Sequence, residues 1–250
     1  MVRPVPIRFI YFDLDDTLLD HARAERGALA DLFQAHRPHM AGRSFEEVHG
    51  HYRRINGEVW RAYSSGEIDK QEARSRRFRL LAEAVPITDG SVVRTLPDAY
   101  LERYANHWAP LPGAFEAYRR LSELVPVGIL TNGFAEIQHA KFRRFPELDR
   151  LASAVVISET VGYMKPDRRI FEHAAGLAGT EPGDILYVGD SLRSDVLGGR
   201  DAGWNVAWYR PPGHPAGEPP TDFPEEAFRF SDWEELIRRA MSMAGQNPSR

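Results

Sequence analysis

The stretch from Arg8 to Asp20 constrains the fold most, because an apolar run leads directly into a group of carboxylates. The run from Phe9 to Phe12 combines aromatic and β-branched residues in the pattern of a strand that is buried on both faces, as in the centre of a parallel sheet. Asp13 and Asp15 then fall at the carboxyl end of this strand, where open α/β sheets bind their ligands. The stretch therefore predicts a ligand site at this edge.

Asp13 and Asp15 lie two positions apart, so on a regular strand their side chains leave on the same face. At ~4 Å and an effective dielectric of ~20, two such charges repel by about 4 kcal/mol. The pair therefore needs a cation, a shared proton, or both. A calcium loop of the EF-hand type is excluded, because that loop needs glycine at its sixth position and a preceding helix, whereas here the sixth residue is Leu18 and a strand precedes.

Length and composition narrow the class of protein. The 250 residues allow one large domain or two moderate ones. A net charge of −4 disfavours a nucleic acid polymer or an anionic membrane as partner, and no apolar run approaches the ~20 residues of a membrane span. The absence of cysteine excludes disulfides and thiolate chemistry, and it is consistent with the reducing cytoplasm, which we predict as the location.

A long helical block follows the first strand. Apolar residues recur there at spacings of three and four, with Ser44 and Glu47 as a capping box. The predicted helices are Ala22–His36, Ser44–Tyr63, Glu67–Val85 and Ser91–His107. Since no strand is predicted in this block, we expect an inserted helical subdomain over residues 21–107, with residues 1–20 and 108–250 forming the other domain.

Strands and helices alternate in the second half of the chain. The predicted strands there are Val127–Leu130, Ala154–Ile157, Ile185–Val188 and Val206–Tyr209, followed by a short edge strand Phe228–Phe230 and a closing helix Trp233–Met241. Repeated strand–helix units of this length predict a parallel sheet with right-handed crossovers. The fold class is therefore α/β, with a doubly wound parallel sheet and an inserted helical subdomain.

Polar residues follow the predicted strands at or just after their ends. They are Asp13 with Asp15, Thr131 with Asn132 and Gly133, Lys165, and Asp190 with Asp195. Each group alone also fits an ordinary turn, loop or helix cap, but a parallel sheet brings all of them to one edge. Carboxylates, one ammonium, one hydroxyl and backbone amides at a helix N-terminus suit magnesium-assisted transfer of a phosphoryl group to or from oxygen.

In this order, the four motifs resemble those of the haloacid dehalogenase superfamily of phosphohydrolases, whose Rossmann-like core carries a helical cap. The resemblance implies that Asp13 is the nucleophile, giving an aspartyl-phosphate intermediate, and that Asp15 is the general acid and base. It implies that Thr131 and the Asn132 amide hold phosphoryl oxygens. Lys165 would offset the charge of the nucleophile and of the phosphate.

The same resemblance implies a Mg²⁺ cofactor. Its ligands would be the side chains of Asp13 and Asp190 and the backbone carbonyl of Asp15, while Asp195 would order a metal-bound water or Lys165. Asp15 also distinguishes subgroups of this superfamily, because the dehalogenases proper lack an acid there and use no magnesium. We therefore expect a phosphatase or a phosphomutase.

Two longer stretches, Thr131–Phe134 and Ile157–Asp167, resemble the branch that contains bacterial pyrimidine 5′-nucleotidases. Acylneuraminate 9-phosphatases and sugar phosphatases share much of the sequence in these two stretches. We therefore expect a small-molecule phosphomonoester as substrate, with a nucleoside 5′-monophosphate leading, and a sugar-phosphate phosphatase or a phosphomutase as alternatives. The helical insertion would set the choice, with Trp60 and Tyr63 as stacking candidates and Arg53 or Asn56 as hydrogen-bonding candidates.

A non-enzymatic alternative is a receiver-like phosphoacceptor module, which also combines acids, a hydroxyl and a lysine on a parallel sheet. Such modules are about half as long and lack the helical insertion, and their phosphoaccepting aspartate is not in the first acidic group. Intact Asp13, Asp15, Lys165 and Asp190 favour the enzyme. The sequence makes no prediction of the oligomeric state.

Overall fold

The computed structural model describes residues 6–40, 42–85, 87, 89–211 and 227–245. The chain divides into two compact units. We call Met1–Asp20 with Pro110–Arg250 the core unit and His21–Ala109 the helical unit. In the described part of the chain, no helix has both the length and the apolar composition needed to cross a bilayer.

A parallel sheet forms the centre of the core unit. Its described strands are β1 (Phe9–Phe12), β2 (Val127–Thr131), β3 (Ala152–Ile157), β4 (Ile185–Gly189), β5 (Asn205–Tyr209) and β6 (Ala227–Phe230). They lie in the order β3-β2-β1-β4-β5-β6, and each neighbouring pair is parallel. This is the predicted doubly wound α/β class, with β1 at the centre as its apolar run indicates.

Helices cover both faces of this sheet. The helices of the core unit are α5 (Ala114–Ser122), α6 (Ala135–Arg144), α7 (Pro146–Leu151), α8 (Ser158–Val161), α9 (Arg168–Ala178), α10 (Gly198–Asp201) and α11 (Trp233–Met243). Ile10 and Phe12 of β1 belong to an apolar cluster with α5 and α11, whereas Phe9 and Tyr11 belong to a second cluster with α9. β1 is therefore buried on both faces, which explains why its residues do not alternate with polar ones.

The helical unit consists of packed helices. They are α1 (His21–His36), α2 (Phe45–Ser64), α3 (Lys70–Ala84) and α4 (Gly90–Asn106), with α1 against α4 and α2 against α3. The predicted capping box is present, since Ser44 accepts from the Glu47 amide and Glu47 accepts from the Ser44 amide. Asp69 and Asp89 cap α3 and α4 without such a box, each through a carboxylate that accepts from a first-turn amide.

The core unit closes at the two points where the helical insertion leaves and returns. The amide of Leu111 donates to the carbonyl of Leu18 at 3.0 Å, and Leu19 forms an antiparallel bridge with Pro110. The backbone on either side of the insertion is thus joined by hydrogen bonds that belong to the core unit alone.

The register of the central strands brings the predicted polar residues to one edge. Phe12 pairs with Ile129 of β2 and with Val188 of β4, and the Asp13 amide donates to the Val188 carbonyl at 2.8 Å. The residues that follow these three strands therefore emerge side by side.

We expect Gly128→Ala to lower the free energy of unfolding by about 1–3 kcal/mol, since overpacking forces neighbours apart. A Cβ at Gly128 would lie 2.5 Å from the Tyr11 ring and 2.8 Å from the backbone oxygen of Ala154. As the matched control, Gly176→Ala in α9 meets no atom within 4 Å and should raise stability by about 0.5–1 kcal/mol. Urea unfolding of both variants measures the difference, and equal midpoints would contradict this packing.

Candidate active site

Asp13 follows β1 directly and is almost fully buried. Its Oδ1 accepts a hydrogen bond from Lys165 Nζ at 2.7 Å, and its Oδ2 lies 3.4 Å from the Thr17 hydroxyl. The chain turns tightly after it, with Asp16 in the left-handed region at φ 59° and with the amides of Leu18 and Leu19 bonded to the Leu14 carbonyl. This turn places Thr17, a residue that the sequence analysis did not select, against the nucleophile candidate.

Asp190 directly follows β4, and Asp195 lies within the short π-helical segment Leu192–Leu197 that comes after it. The Ser191 amide donates to Asp195 Oδ2 at 2.9 Å, which turns the Asp195 carboxylate back towards the strand end. Gly189 leaves room for it, because a Cβ there would lie 2.5 Å from Asp195 Oδ2. One oxygen from each of Asp13, Asp190 and Asp195 lies within 4.8 Å of the other two.

Lys165 is buried among these acids. Its Nζ donates to Asp13 and to Asp195, both at 2.7 Å, and to the Tyr187 hydroxyl at 2.5 Å. The side chain of Asn132 holds the Lys165 backbone, accepting from its amide at 2.9 Å and donating to its carbonyl at 3.0 Å. The structure therefore brings Asp13, Lys165 and Asp195 into direct contact and makes Asn132 a support for Lys165.

Tyr187 was not selected from the sequence, because in the run Ile185–Val188 it fits an ordinary core residue. Its hydroxyl donates to the Leu130 carbonyl at 2.9 Å and receives the Lys165 hydrogen bond. Since Leu130 is on β2 and Tyr187 is on β4, this bond passes over β1 and fixes the phenol beneath the ammonium.

The electrostatics of this group follow from burial and crowding. Burial raises the pKa of Asp13 well above its usual range, the charges of Asp195 and Asp190 raise it further, and Lys165 opposes them. Burial and the Asp195 charge likewise raise the pKa of Asp190. Burial acts against the Lys165 ammonium, yet the charges of Asp13 and Asp195 raise its pKa above its ordinary value.

These residues fit a divalent cation. When ionised, the carboxylates of Asp13, Asp190 and Asp195 outnumber the Lys165 ammonium by two charges, and their oxygens lie within one coordination sphere's reach of each other. Carboxylate oxygens are the ligands that magnesium prefers. A cation of charge two would neutralise this group and, by its positive charge, lower the pKa values that burial and the neighbouring carboxylates raise.

Thr131 ends β2 and is fully buried. The loop after it is held by α8, since the Gly133 amide donates to the Ser158 hydroxyl at 3.1 Å and the Ala135 amide donates to Glu159 at 2.6 Å. The Gly133 amide, predicted as part of a phosphate cradle, therefore has an acceptor within the protein. Thr131 and the Asn132 amide stay the predicted phosphate contacts.

Asp15 has different partners from the other acids. Its carboxylate accepts from Lys141 Nζ at 2.6 and 2.7 Å and from Gln138 Nε2 at 3.0 Å. Its side chain is not part of the Asp13, Asp190 and Asp195 group, and the metal contact through the Asp15 backbone carbonyl stays a prediction. Lys141 and Gln138 were missed, because polar residues on a helix are ordinarily assigned to its exposed face, whereas both are buried here.

The candidates in the helical unit differ in their surroundings. Asn56 is buried and donates to the Glu25 carboxylate at 3.1 Å, with Arg77 donating to its oxygen at 3.4 Å. The rings of Trp60 and Tyr63 contact each other with their centroids 5.4 Å apart, and Arg53 is exposed. Asn56 therefore belongs to a buried hydrogen-bonded network within this unit, which is a structural role.

Comparison with known proteins gives consistent matches. A family model described as haloacid dehalogenase-like hydrolase matches residues 7–203. The pyrimidine 5′-nucleotidase YjjG of Escherichia coli is 31% identical over 201 residues, which cover 80% of this chain and 84% of that protein. The glyceraldehyde 3-phosphate phosphatase of Pyrococcus abyssi is 29% identical over 209 residues, which cover 82% of each chain.

Among solved structures, the HAD-hydrolase YfnB of Bacillus subtilis, bound to magnesium, is similar with a TM-score of 0.77. The match has 25% sequence identity and covers 94% of this chain and 99% of that one. The resemblance predicted from the four motifs is confirmed by these matches.

We expect the carboxylate crowding to appear in the pH dependence of stability. Because the pKa values of Asp13 and Asp190 are raised on folding, the folded state holds protons that the unfolded state has lost, so stability falls as pH rises. In excess chelator, the free energy of unfolding should fall as the pH rises above about 4, the ordinary pKa of an aspartate, by up to about 1.4 kcal/mol per pH unit for each such proton. Added Mg²⁺ should raise the melting temperature more at pH 8 than at pH 5.

The matched control is Asp190→Asn, which removes one of the crowded charges. His36 and His49, whose pKa values are lowered by burial, act in the opposite direction between pH 5 and 7, but they titrate alike in both proteins. The difference in unfolding free energy between wild type and Asp190→Asn therefore reports the contribution of the crowded acids without that of the histidines. The proposed cation site would be contradicted if the difference in unfolding free energy between the two proteins did not change with pH. It would also be contradicted if Mg²⁺ raised the melting temperature of Asp190→Asn as much as that of the wild type.

Proposed function

We propose that this chain, which belongs to the haloacid dehalogenase-like hydrolase family, hydrolyses small phosphomonoesters through a phosphorylated aspartate. The observation that carries the proposal is the buried contact of the Lys165 ammonium with Asp13 and Asp195, beside Asp190. A carboxylate held by an ammonium at the end of a central strand is suited to attack an anionic phosphate, because the positive charge offsets the repulsion between the two anions.

In the first step, an oxygen of Asp13 forms a bond to phosphorus while the bond from phosphorus to the ester oxygen breaks. Asp15 gives a proton to the leaving oxygen, which departs as an alcohol. Lys165 stays in contact with Asp13 and offsets charge on the transferred group. Thr131, at the end of the neighbouring strand, and the Asn132 amide hold phosphoryl oxygens.

In the second step, Asp15 accepts a proton from a water molecule whose oxygen attacks phosphorus. The bond from phosphorus to Asp13 breaks, inorganic phosphate forms, and the carboxylate of Asp13 is restored. The two steps require Asp15 to reach first the leaving oxygen and then the water, which is why an acid two positions after the nucleophile is useful.

The cofactor that fits this site is Mg²⁺, held by Asp13, Asp190 and the Asp15 carbonyl, with Asp195 supporting Lys165. When bound, a magnesium ion supplies positive charge to the phosphoryl oxygens and to the crowded carboxylates. Support comes from the excess of two negative charges in the buried group and from the magnesium-bound relative YfnB.

The leading substrate is a nucleoside 5′-monophosphate. Support comes from the similarity to YjjG, which is named a pyrimidine 5′-nucleotidase and which this chain matches over most of both lengths. A small sugar phosphate is the second candidate, favoured by the similarity to the glyceraldehyde 3-phosphate phosphatase of Pyrococcus abyssi.

We expect Asp13→Asn to lower turnover of p-nitrophenyl phosphate by about 10³-fold or more, because the nucleophile is lost. Acid quenching during turnover should trap a phosphorylated aspartate in the wild-type protein and none in the variant. Asp149→Asn, an exposed acid in α7, is the matched control and should behave as wild type. A phosphorylated residue other than Asp13 would overturn this assignment.

We expect kcat/KM for nucleoside 5′-monophosphates to exceed that for hexose and triose phosphates by about tenfold or more, since specificity is the ratio of these constants. A panel of both classes, normalised to p-nitrophenyl phosphate in magnesium, measures the ranking. The reverse ranking would reject the nucleotidase while leaving the phosphomonoesterase intact.

A further inference from the structure

Lys141 lies on α6 and is almost completely buried, with 3% of its side chain exposed. A buried ammonium is costly unless it is paired, and lysine is among the residues least often buried. Here its Nζ contacts both oxygens of Asp15, at 2.6 and 2.7 Å. Burying the Lys141 ammonium is therefore unfavourable in itself, but its contacts hold the Asp15 carboxylate in a fixed orientation.

Gln138 lies one turn before Lys141 on the same face of α6. Its Nε2 donates to Asp15 at 3.0 Å, to the Thr131 hydroxyl at 2.8 Å and to the Asn132 carbonyl at 3.3 Å. One buried amide thus joins the acid–base candidate to the predicted phosphate contact Thr131 and to the backbone carbonyl of Asn132. Because Gln138 and Lys141 are on the same helix, α6 positions both of the side chains that contact Asp15.

Gly133 makes the position of Gln138 possible. A Cβ at Gly133 would lie 2.7 Å from Gln138 Nε2, so any larger residue would displace the amide. Gln138 Oε1 is buried and has no hydrogen-bond partner in the described structure. An unmatched buried oxygen is unfavourable, so the position of Gln138 is set by its Nε2 contacts.

We propose that Lys141 and Gln138 are positioning residues that hold Asp15 in the orientation needed for the second chemical step. This inference rests on the proposed function. With both oxygens held, the Asp15 carboxylate keeps a fixed direction for accepting the proton of the attacking water, and the Gln138 amide sets its distance from the phosphoryl group on Asp13. Loss of either contact leaves Asp13 and Lys165 intact. With a substrate whose leaving group needs no proton, formation of the phosphoenzyme is therefore spared and its hydrolysis is slowed.

The test uses p-nitrophenyl phosphate in magnesium, because p-nitrophenolate leaves without needing a proton. In Lys141→Met, which keeps the side-chain length, the first-turnover burst should stay within about threefold of wild type. The steady-state rate should fall about 10- to 100-fold, as expected when a catalytic group is misplaced. KM should fall in parallel, since phosphoenzyme accumulates, and acid quenching should trap more of it.

Further variants separate positioning from folding. Lys141→Arg retains the charge and should restore most of the steady-state rate, while Gln138→Leu should slow phosphoenzyme decay about three- to tenfold. Arg143→Met, an exposed cation on α6, is the matched control and should have no effect. If Lys141→Met does not fold, as thermal unfolding will show, the Gln138→Leu result decides.

Two results would overturn the role. One is a Lys141→Met enzyme with unchanged steady-state rate and phosphoenzyme decay. The other is an equal fall in burst and steady state that Lys141→Arg does not rescue. A wild-type protein that forms no phosphoenzyme would overturn the proposed function, whereas a normal wild-type reaction with an unaffected Lys141→Met would reject only the positioning role.

Discussion

The structure depends on one electrostatic constraint, the burial of several carboxylates around a single ammonium at the end of a central strand. Lys165 contacts Asp13 and Asp195 directly, and their charges keep it protonated in spite of burial. Breaking such a buried contact leaves an unpaired charge and is strongly destabilising. The neighbouring residues serve this contact: Asn132 fixes the Lys165 backbone and Tyr187 fixes its Nζ.

The central part of this arrangement could be predicted from the sequence. Phe9–Phe12 indicated a strand buried on both faces, and the observed sheet has β1 at its centre with apolar clusters on each side. Parallel strands must deliver their following residues to one edge. This rule was enough to place Asp13, Lys165 and Asp190 near each other without knowledge of any contact.

The supporting residues could not be predicted with the same rules. Hydrophobic periodicity assigns Tyr187 to the core and gives no weight to its hydroxyl, which is the part that binds Lys165. It treats Lys141 as a surface residue of α6, because lysine is usually exposed. For Asn132 the motif indicated a phosphate contact through the backbone N–H. The separate role of its side chain, which holds the Lys165 backbone, became visible only in the structure.

The hydrogen bond between Leu111 and Leu18 has a consequence for how such proteins diversify. The core unit joins its own backbone where the helices enter and leave, so this closure uses no residue of the inserted chain. Recombination at these two junctions can exchange one insert for another without rebuilding the charged centre. Substrate preference, which we predict the insertion to set, can in this way change while the residues of the charged centre stay the same.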